Sequence, residues 1–180
     1  NGTPYNPNDD VWSRRVNSDF HSFRGIVKAG RPLGSGRMQI HNALDLSHTG
    51  ISGTGNYQAK RTRLDSWRNL SEANIYGHLA NGFAGYSLKA HLSLTTGEYK
   101  DLYGEVGFGT QHDRNTTIST GLHGEINTIN PRRGVATLFA AGKYEDFEPE
   151  NLLDKDRDQV HSRRFRSILG GEVESFPLFW

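Results

Sequence analysis

Two short clusters of basic residues carry the most readable chemistry in this 180-residue sequence. Arginine guanidinium groups bind phosphate oxygens through paired hydrogen bonds, and lysine adds a compact positive charge. Each cluster also stands close to an aromatic residue, Trp67 in the first and Phe165 in the second. These clusters would suit lipid A phosphates or a nucleic-acid backbone, and their members are Lys60, Arg61, Arg63, Arg163, Arg164 and Arg166.

Neither a catalytic nor a metal site is predicted. The G-x-S-x-G, P-loop and GxGxxG motifs do not occur, and the chain contains no cysteine. Four histidines, His41, His78, His91 and His123, fall in predicted strands, but no two of them lie two residues apart on one strand. We expect a protein that is not an enzyme and uses no cofactor.

Composition favours a polar, turn-rich β protein with a single domain. Hydrophobic residues make up 34% of the chain, and glycine (21 residues) greatly outnumbers proline (6 residues). The formal net charge is +1, so no bulk positive field attracts nucleic acid, and we expect no nucleic-acid partner. Any attraction of anions must therefore come from local clusters of basic residues and not from the charge of the whole chain.

Alternation of apolar and polar residues must supply the framework for these side chains. Leu88, Ala90, Leu92 and Leu94 share one parity, and the residues between them are polar, as expected of a strand with one apolar face. Turn signals separate such segments, the clearest being Asn81-Gly82. Others are 50–55, 96–97, 112–115 and 130–134, and 145–158 reads as a long acidic connection. The predicted strands are 37–47, 57–67, 73–80, 83–94, 102–110, 118–126, 135–144 and 163–176.

These segments predict an all-β fold, an antiparallel meander of about eight strands that forms a closed or nearly closed β-barrel. Residues 1–36 lack sustained periodicity and hold three of the prolines. We expect them to form an irregular N-terminal arm with one short helix near 11–20. The barrel-like domain would then occupy 37–180.

Part of the sequence resembles the attacins, a family of insect antibacterial proteins. Residues 122–131 (LHGEINTINP) and 139–147 (FAAGKYEDF) are similar to their C-terminal glycine-rich domain, as are 43–45 with 50–53. Residues 113–121 (DRNTTISTG) look like a stretch of the related gloverins. The resemblance implies a secreted, non-enzymatic innate immune protein that acts on the Gram-negative envelope through anionic lipid or lipopolysaccharide. On that expectation the six residues of the two basic clusters are the predicted anionic-lipid contacts.

Two other functions remain open at this point. A soluble barrel, similar to avidins or lipocalins, would turn the apolar parity inward and hold a small ligand. A bacterial outer-membrane barrel would turn the same parity outward, and the aromatic C-terminal segment 176–180 is typical of that class. The two readings imply different locations, secreted or outer membrane. The sequence leaves the ligand and the oligomeric state open.

Overall fold

The computed structural model describes residues 15–53, 58–79, 82–130, 134–154 and 160–175. They form one seven-stranded antiparallel sheet in which the strands follow each other in chain order. No helix in the described part of the chain is long and apolar enough to cross a membrane. The first residues of the expected arm, the Asn81 turn position and the C-terminal segment 176–180 lie outside the described residues.

The strands are long, and each pairs with the next through a continuous ladder. Antiparallel neighbours in the chain need only a short connection, which is why alternation plus turn residues produces a meander. The strands are β1 (Phe20–Leu33), β2 (Gly36–Gly50), β3 (Arg63–Leu79), β4 (Ala84–Asp101), β5 (Gln111–Asn130), β6 (Gly134–Asn151) and β7 (Ser162–Ser175).

Short and long connections lie at opposite ends of the sheet. At one end, here called the turn end, only 34–35, 80–83 and 131–133 separate consecutive strands. Gly34 and Gly82 have φ values of +56° and +85°, a conformation that glycine adopts without strain. At the other end, the loop end, the separations are 51–62, 102–110 and 152–161. The meander is therefore asymmetric along its strands.

The all-β antiparallel meander is confirmed, with seven strands instead of about eight. Predicted segments 57–67 and 73–80 contribute to one strand, β3, and 102–110 is a loop. The predicted turn at 96–97 was wrong because the β4–β5 ladder continues to the pair Asp101 and Gln111. Residues 112–115 and 145–151 are likewise strand.

The expectation of an irregular arm was wrong for Phe20–Leu33, which forms β1. Glycine and proline interrupt its alternation, and most of its side chains are exposed, as tolerated at a sheet edge. No helix occurs among residues 15–20. β1 pairs along its whole length with β2, so the ladder, and not intrinsic propensity, holds it extended.

The described strands contact only their sequence neighbours. No ladder joins β1 to β7 among the described residues, so the sheet is open. The closed barrel expected from the sequence is therefore not part of the observed hydrogen bonding. In the described part of the chain the sheet is a single layer with two broad faces. No described strand pairs with the outer edge of β1 or of β7.

Close packing of the sheet at the turn end depends on two facing glycines. Gly36 and Gly77 are register partners, and a β-carbon on Gly77 would come within 2.7 Å of the Gly36 Cα. The hydroxyl of Tyr86, on the adjoining strand, would lie 3.0 Å from the same β-carbon. The tyrosine therefore covers the space that the missing side chain leaves.

We expect Gly77→Val to destabilise the protein by about 1–3 kcal/mol, because the new side chain overlaps backbone and ring atoms. The measurement is the midpoint of urea unfolding followed by circular dichroism in detergent micelles. Gly97→Val is the matched control, since Gly97 lies within β4 with no atom near its virtual β-carbon. Equal losses in the two variants would contradict the close-packing explanation.

Candidate functional site

One face of the sheet is mostly apolar, although Asn42, Asn69 and Ser71 form a hydrogen-bonded polar group on it between β2 and β3. Register partners point to the same face of an antiparallel sheet, so the ladders assign every side chain to a face. Partners of Leu88 on successive strands are Ile75, Met38, Gly124, Ala140 and Leu169. The large aliphatic residues of this apolar face are Val27, Leu33, Met38, Ile40, Leu44, Leu46, Ile75, Leu79, Leu88, Leu92, Leu94, Ile118, Leu122, Ile126, Leu138, Leu169 and Val173.

Nothing in the described part of the chain covers this face. Leu138, Leu169 and Val173 are 67%, 84% and 81% exposed. Among the described residues the one buried apolar side chain is Ala59, which lies in a loop. A soluble single-layer sheet would leave this surface in water at about 25 cal/mol per Å² of apolar area. The face is therefore built to meet a second apolar phase or surface.

A row of charged residues ends the apolar face on the loop side. His48, Asp65, Glu98, Arg114 and Glu150 are successive register partners across β2 to β6. Within the row, the two terminal guanidinium nitrogens of Arg114 lie 3.1 Å from Glu98 and 3.7 Å from Glu150, respectively. Further ion pairs run along the strands, where Glu98 also binds Lys100 and His112 at 3.0 and 2.8 Å. We call the register-paired residues the charged row.

Aromatic side chains border the apolar face. On the loop side these are Phe23, Trp67, Tyr144 and Phe165, each the first large apolar residue of its strand and face after the charged residues. On the turn side Tyr86 takes the corresponding place on β4. We use the term apolar band for the part of the apolar face that lies between these borders.

The opposite face is polar and laced with ion pairs. Arg24 donates to Asp45 at 2.6 Å on the neighbouring strand. Glu72 on β3 lies 2.9 Å from the His41 ring and 3.3 Å from the Lys89 ammonium. The amine of Lys143 lies 2.8 Å from Glu145, which also pairs with Arg164. These cross-strand pairs tie the charges of neighbouring strands together on one surface, the polar face.

Two loops at the loop end are joined by carboxylates that accept backbone hydrogen bonds. Glu105 accepts the N–H groups of Lys60 and Arg61 at 2.8 and 2.7 Å. The Arg61 N–H is the main reason that the pKa of the Glu105 carboxyl lies below its ordinary value, against the opposing effect of partial burial. Burial acts to raise the pKa of Asp101, but the N–H groups of Val106 and Glu105 outweigh it and lower that pKa. Both carboxylates are thus held ionised.

The six predicted basic residues do not form one surface. Lys60 and Arg61 lie in the loop before β3, where the Arg61 guanidinium stacks 4.4 Å from the centre of the Tyr103 ring. Arg63 begins β3 and donates to both carboxylate oxygens of Asp19. This first cluster therefore stands at the loop end, on the β3 side of the sheet.

The second cluster lies on the edge strand β7, four strands away from β3. Arg163 belongs to the apolar-face parity and pairs with Asp146 at 3.5 Å, beyond the apolar band on the loop side. Arg164 and Arg166 belong to the polar face. Neighbours in sequence are thus divided between faces by the strand geometry.

Sequence reasoning did not identify a group of basic residues that the polar face brings together. Lys89 and Lys143 join Arg166 around an open cleft of about 290 Å³ that also involves His91 and His123. Only the register brings these strands together, so no spacing in the sequence could reveal the grouping. His41, His78, His91 and His123 all lie on the polar face. No group of metal-binding side chains was found in the described ranges.

Neither protein-family models nor curated proteins give a match to this chain. The resemblance to attacins therefore stays a prediction, and the argument for function rests on the geometry of the two faces.

Glu105→Gln is expected to loosen the 58–62 loop, because the amide cannot replace the charge that accepts two backbone N–H groups. Trypsin should then cut after Lys60 or Arg61 several-fold faster, as followed by mass spectrometry. Glu148→Gln on β6 is the control and should leave the cleavage rate unchanged. An unaltered rate in Glu105→Gln would contradict the assigned clamp.

The same contact predicts a pH dependence. Because the pKa of Glu105 is lowered from 4.5, its stabilising effect is complete above pH 4.5 and is lost as the pH falls through the lowered value. The amide resonances of Lys60 and Arg61 should shift with a midpoint below pH 4.5 in nuclear magnetic resonance spectra. Glu105→Gln should abolish this titration.

Proposed function

We propose that this chain forms part of the wall of a membrane-spanning β-barrel of the outer-membrane type. The apolar band would face lipid, and the polar face would line an aqueous lumen. The observation that carries the proposal is the broad apolar face, which the described residues leave uncovered, which aromatic residues border and which a charged row ends. The polar group of Asn42, Asn69 and Ser71 is satisfied by its own hydrogen bonds within this face. Barrels of this class have an outward apolar band with aromatic girdles and a polar interior.

The height of the apolar band supports this function. On β4 it runs from Tyr86 to Leu94, a distance of ~27 Å at ~3.4 Å per residue. At a strand tilt of ~40° this corresponds to ~21 Å along the barrel axis. The apolar belt of membrane barrels is about 25 Å tall. The strands continue beyond the band into the charged row, as strands that leave the lipid do.

The apolar band also runs obliquely across the ladders. Leu46 begins it on β2, but the register partner of Leu46 on β6 is the charged residue Glu148, and the band starts there at Tyr144. The slip is about one residue per strand, which corresponds to a strand tilt of roughly 35°. A flat sheet that packs against another layer has no need for this slope. A tilted barrel that keeps its belt level in a membrane requires it.

The alternation of short turns and long loops fits the same architecture. Membrane barrels have short turns at one rim and longer loops at the other. In lipid, the edges of β1 and β7 would present unpaired backbone groups, each costing several kcal/mol. Closure through these two edges, with each other or with strands of further copies, is therefore part of the proposal.

A soluble ligand-binding barrel explains less of the geometry. Turning the apolar face inward would bury Trp67, Tyr144 and Tyr86 at the barrel ends and gain nothing from their arrangement as borders. It would also place the networks around Glu72 and Glu145 in open water, where ion pairs contribute little. A membrane barrel with a water-filled lumen accounts for both faces, because the aromatic borders then meet the membrane surface and the paired charges line the lumen.

The anionic-lipid contact predicted from the sequence fits this proposal in part. Lys60, Arg61 and Arg63 stand at the loop end, beyond the apolar band, at the level where lipid headgroups would lie. Their positive charges would meet lipid phosphates there, including those of lipopolysaccharide. Arg164 and Arg166 lie on the polar face and would not reach them.

The two faces can be distinguished because the chain has no cysteine, so single cysteines carry unique labels. Leu92→Cys and Ser93→Cys place a bimane fluorophore on the apolar and polar face of the same strand. In phosphatidylcholine vesicles, lipids with spin-labelled acyl chains should quench the label at position 92 several-fold more than at position 93. Aqueous iodide should show the reverse preference.

Equal quenching at the two positions would contradict a lipid-facing band. A label at position 92 that is shielded from iodide in plain buffer, without lipid or detergent, would instead indicate the soluble ligand-binding barrel. Leu122→Cys and His123→Cys on β5 repeat the comparison on a second strand and test whether the alternation holds across the sheet.

A separate measurement tests the lipid headgroup contact. The double variant Lys60→Glu with Arg61→Glu should reduce binding to phosphatidylglycerol vesicles about 30-fold or more, because the loss of about 1 kcal/mol for each basic residue near an anionic surface adds up to about 2 kcal/mol. Binding to phosphatidylcholine vesicles should not change. The double variant Arg164→Gln with Arg166→Gln, on the polar face, is the control. Unchanged binding in the first variant would remove these residues as headgroup contacts.

A further inference from the structure

A cleft of about 290 Å³ on the polar face gathers basic side chains from four strands. Lys89 and His91 come from β4, His123 from β5, Lys143 from β6 and Arg166 from β7. We call this group the basic cleft. Its members are separated by up to 77 positions in the sequence and meet only through the register, so no spacing in the sequence reveals the grouping.

Two adjacent rows of the ladder build the basic cleft. In one row His91 faces Gly121, Gly121 faces Lys143, and Lys143 faces Arg166. In the other, Lys89 faces His123, which faces Ala141. Directly opposed residues have β-carbons about 5 Å apart, so the charged side chains stand around a common space.

Small residues keep the floor of the cleft low. Gly121 has no side chain, and the His91 ring lies over it so closely that an added β-carbon would overlap the ring. Ala141 is the neighbouring floor residue in the second row, and Ile168 closes that row at the β7 edge. The His91 ring therefore occupies the space above Gly121, and the remainder of the cleft is open.

The charge in the cleft is only partly compensated. The ammonium of Lys89 lies 3.3 Å from Glu72, and that of Lys143 lies 2.8 Å from Glu145. Arg166 takes part in none of the ion pairs or hydrogen bonds found between described residues, although it is exposed on the same face. Glu125, two residues after His123, makes no ion pair with the cluster either. The Arg166 guanidinium thus borders a cleft that two ion-paired lysines, two histidines and the apolar residues Leu122, Ala141 and Ile168 also line.

We propose that the basic cleft binds the phosphate group of a small anionic solute in the aqueous phase. The Arg166 guanidinium would hold two phosphate oxygens, and the Lys143 and Lys89 ammonium groups would supply charge from the facing strands. The histidine rings add N–H donors at the other wall. A free solute is favoured over a lipid headgroup because the cleft lies on the face opposite to the apolar band. This inference goes beyond the proposed function, since the polar face has the same residues whatever covers the apolar band.

The experiment measures binding of inorganic phosphate to the full chain in octyl glucoside, a detergent without phosphate. Broadening of the phosphorus-31 resonance reports the bound fraction at increasing phosphate, against a constant chloride background. The expected dissociation constant is on the order of millimolar, because the site is open to water. Arg166→Gln should weaken binding about 5- to 10-fold.

Ala141→Glu is a second variant that leaves Arg166 in place and puts a carboxylate in the floor of the cleft, where it should abolish phosphate binding. Arg68→Gln removes a guanidinium from the same polar face outside the cleft and is the matched control. All variants are compared at equal β content by circular dichroism, which detects a variant that fails to fold.

The proposal is supported if the wild type binds phosphate, if Arg166→Gln and Ala141→Glu reduce this binding, and if Arg68→Gln leaves it intact. The absence of phosphate binding by the wild type would overturn it, as would equal weakening by all three variants. An effect of Arg166→Gln confined to phosphatidylglycerol vesicles, with no binding of free phosphate, would also overturn it and assign the cleft to a lipid headgroup.

Discussion

The structure depends on one constraint, that a single β-sheet offers an apolar face without a second layer to cover it. Domains ordinarily bury such a face against helices or another sheet, and that burial offsets the entropy of ordering the chain. Here the strands contact only their neighbours in the sheet, and Ala59 is the one buried apolar side chain in the described ranges. Folding must therefore be coupled to whatever covers the apolar face.

Backbone hydrogen bonding makes a lipid phase an acceptable cover. Ladders between six pairs of strands satisfy the backbone groups inside the sheet. Among the described residues, only the outer edges of β1 and β7 lack a neighbouring strand. Paired strands can enter hydrocarbon because their N–H and C=O groups are already hydrogen-bonded. An isolated strand would leave these groups unsatisfied, at several kcal/mol each. The polar face can then stay hydrated and hold its ion pairs, which explains why the two faces differ so strongly in chemistry.

The sequence predicted the strand centres well and their ends poorly. Alternation around Leu88 and Leu122 identified β4 and β5, because each apolar side chain there lies on one face. Beyond the band, charged residues such as Glu98 and Arg114 take over the apolar-face parity, and this resembles the start of a turn. The ladder continues all the same, since facing charges of opposite sign stabilise it. β1 was missed because an edge strand needs little alternation.

Candidate sites were harder to predict because register decides them. Arg163 and Arg164 are adjacent in sequence, yet the strand directs them to opposite faces, so a basic cluster in the sequence is not a basic surface. Conversely, Lys89, Lys143 and Arg166 share a cleft although no motif joins them. A shift of one residue in the register of a single strand would exchange its faces and dismantle both the cleft and the apolar band. The basic cleft and the apolar band therefore depend on the same strand register, and a change that disturbs one of them disturbs the other.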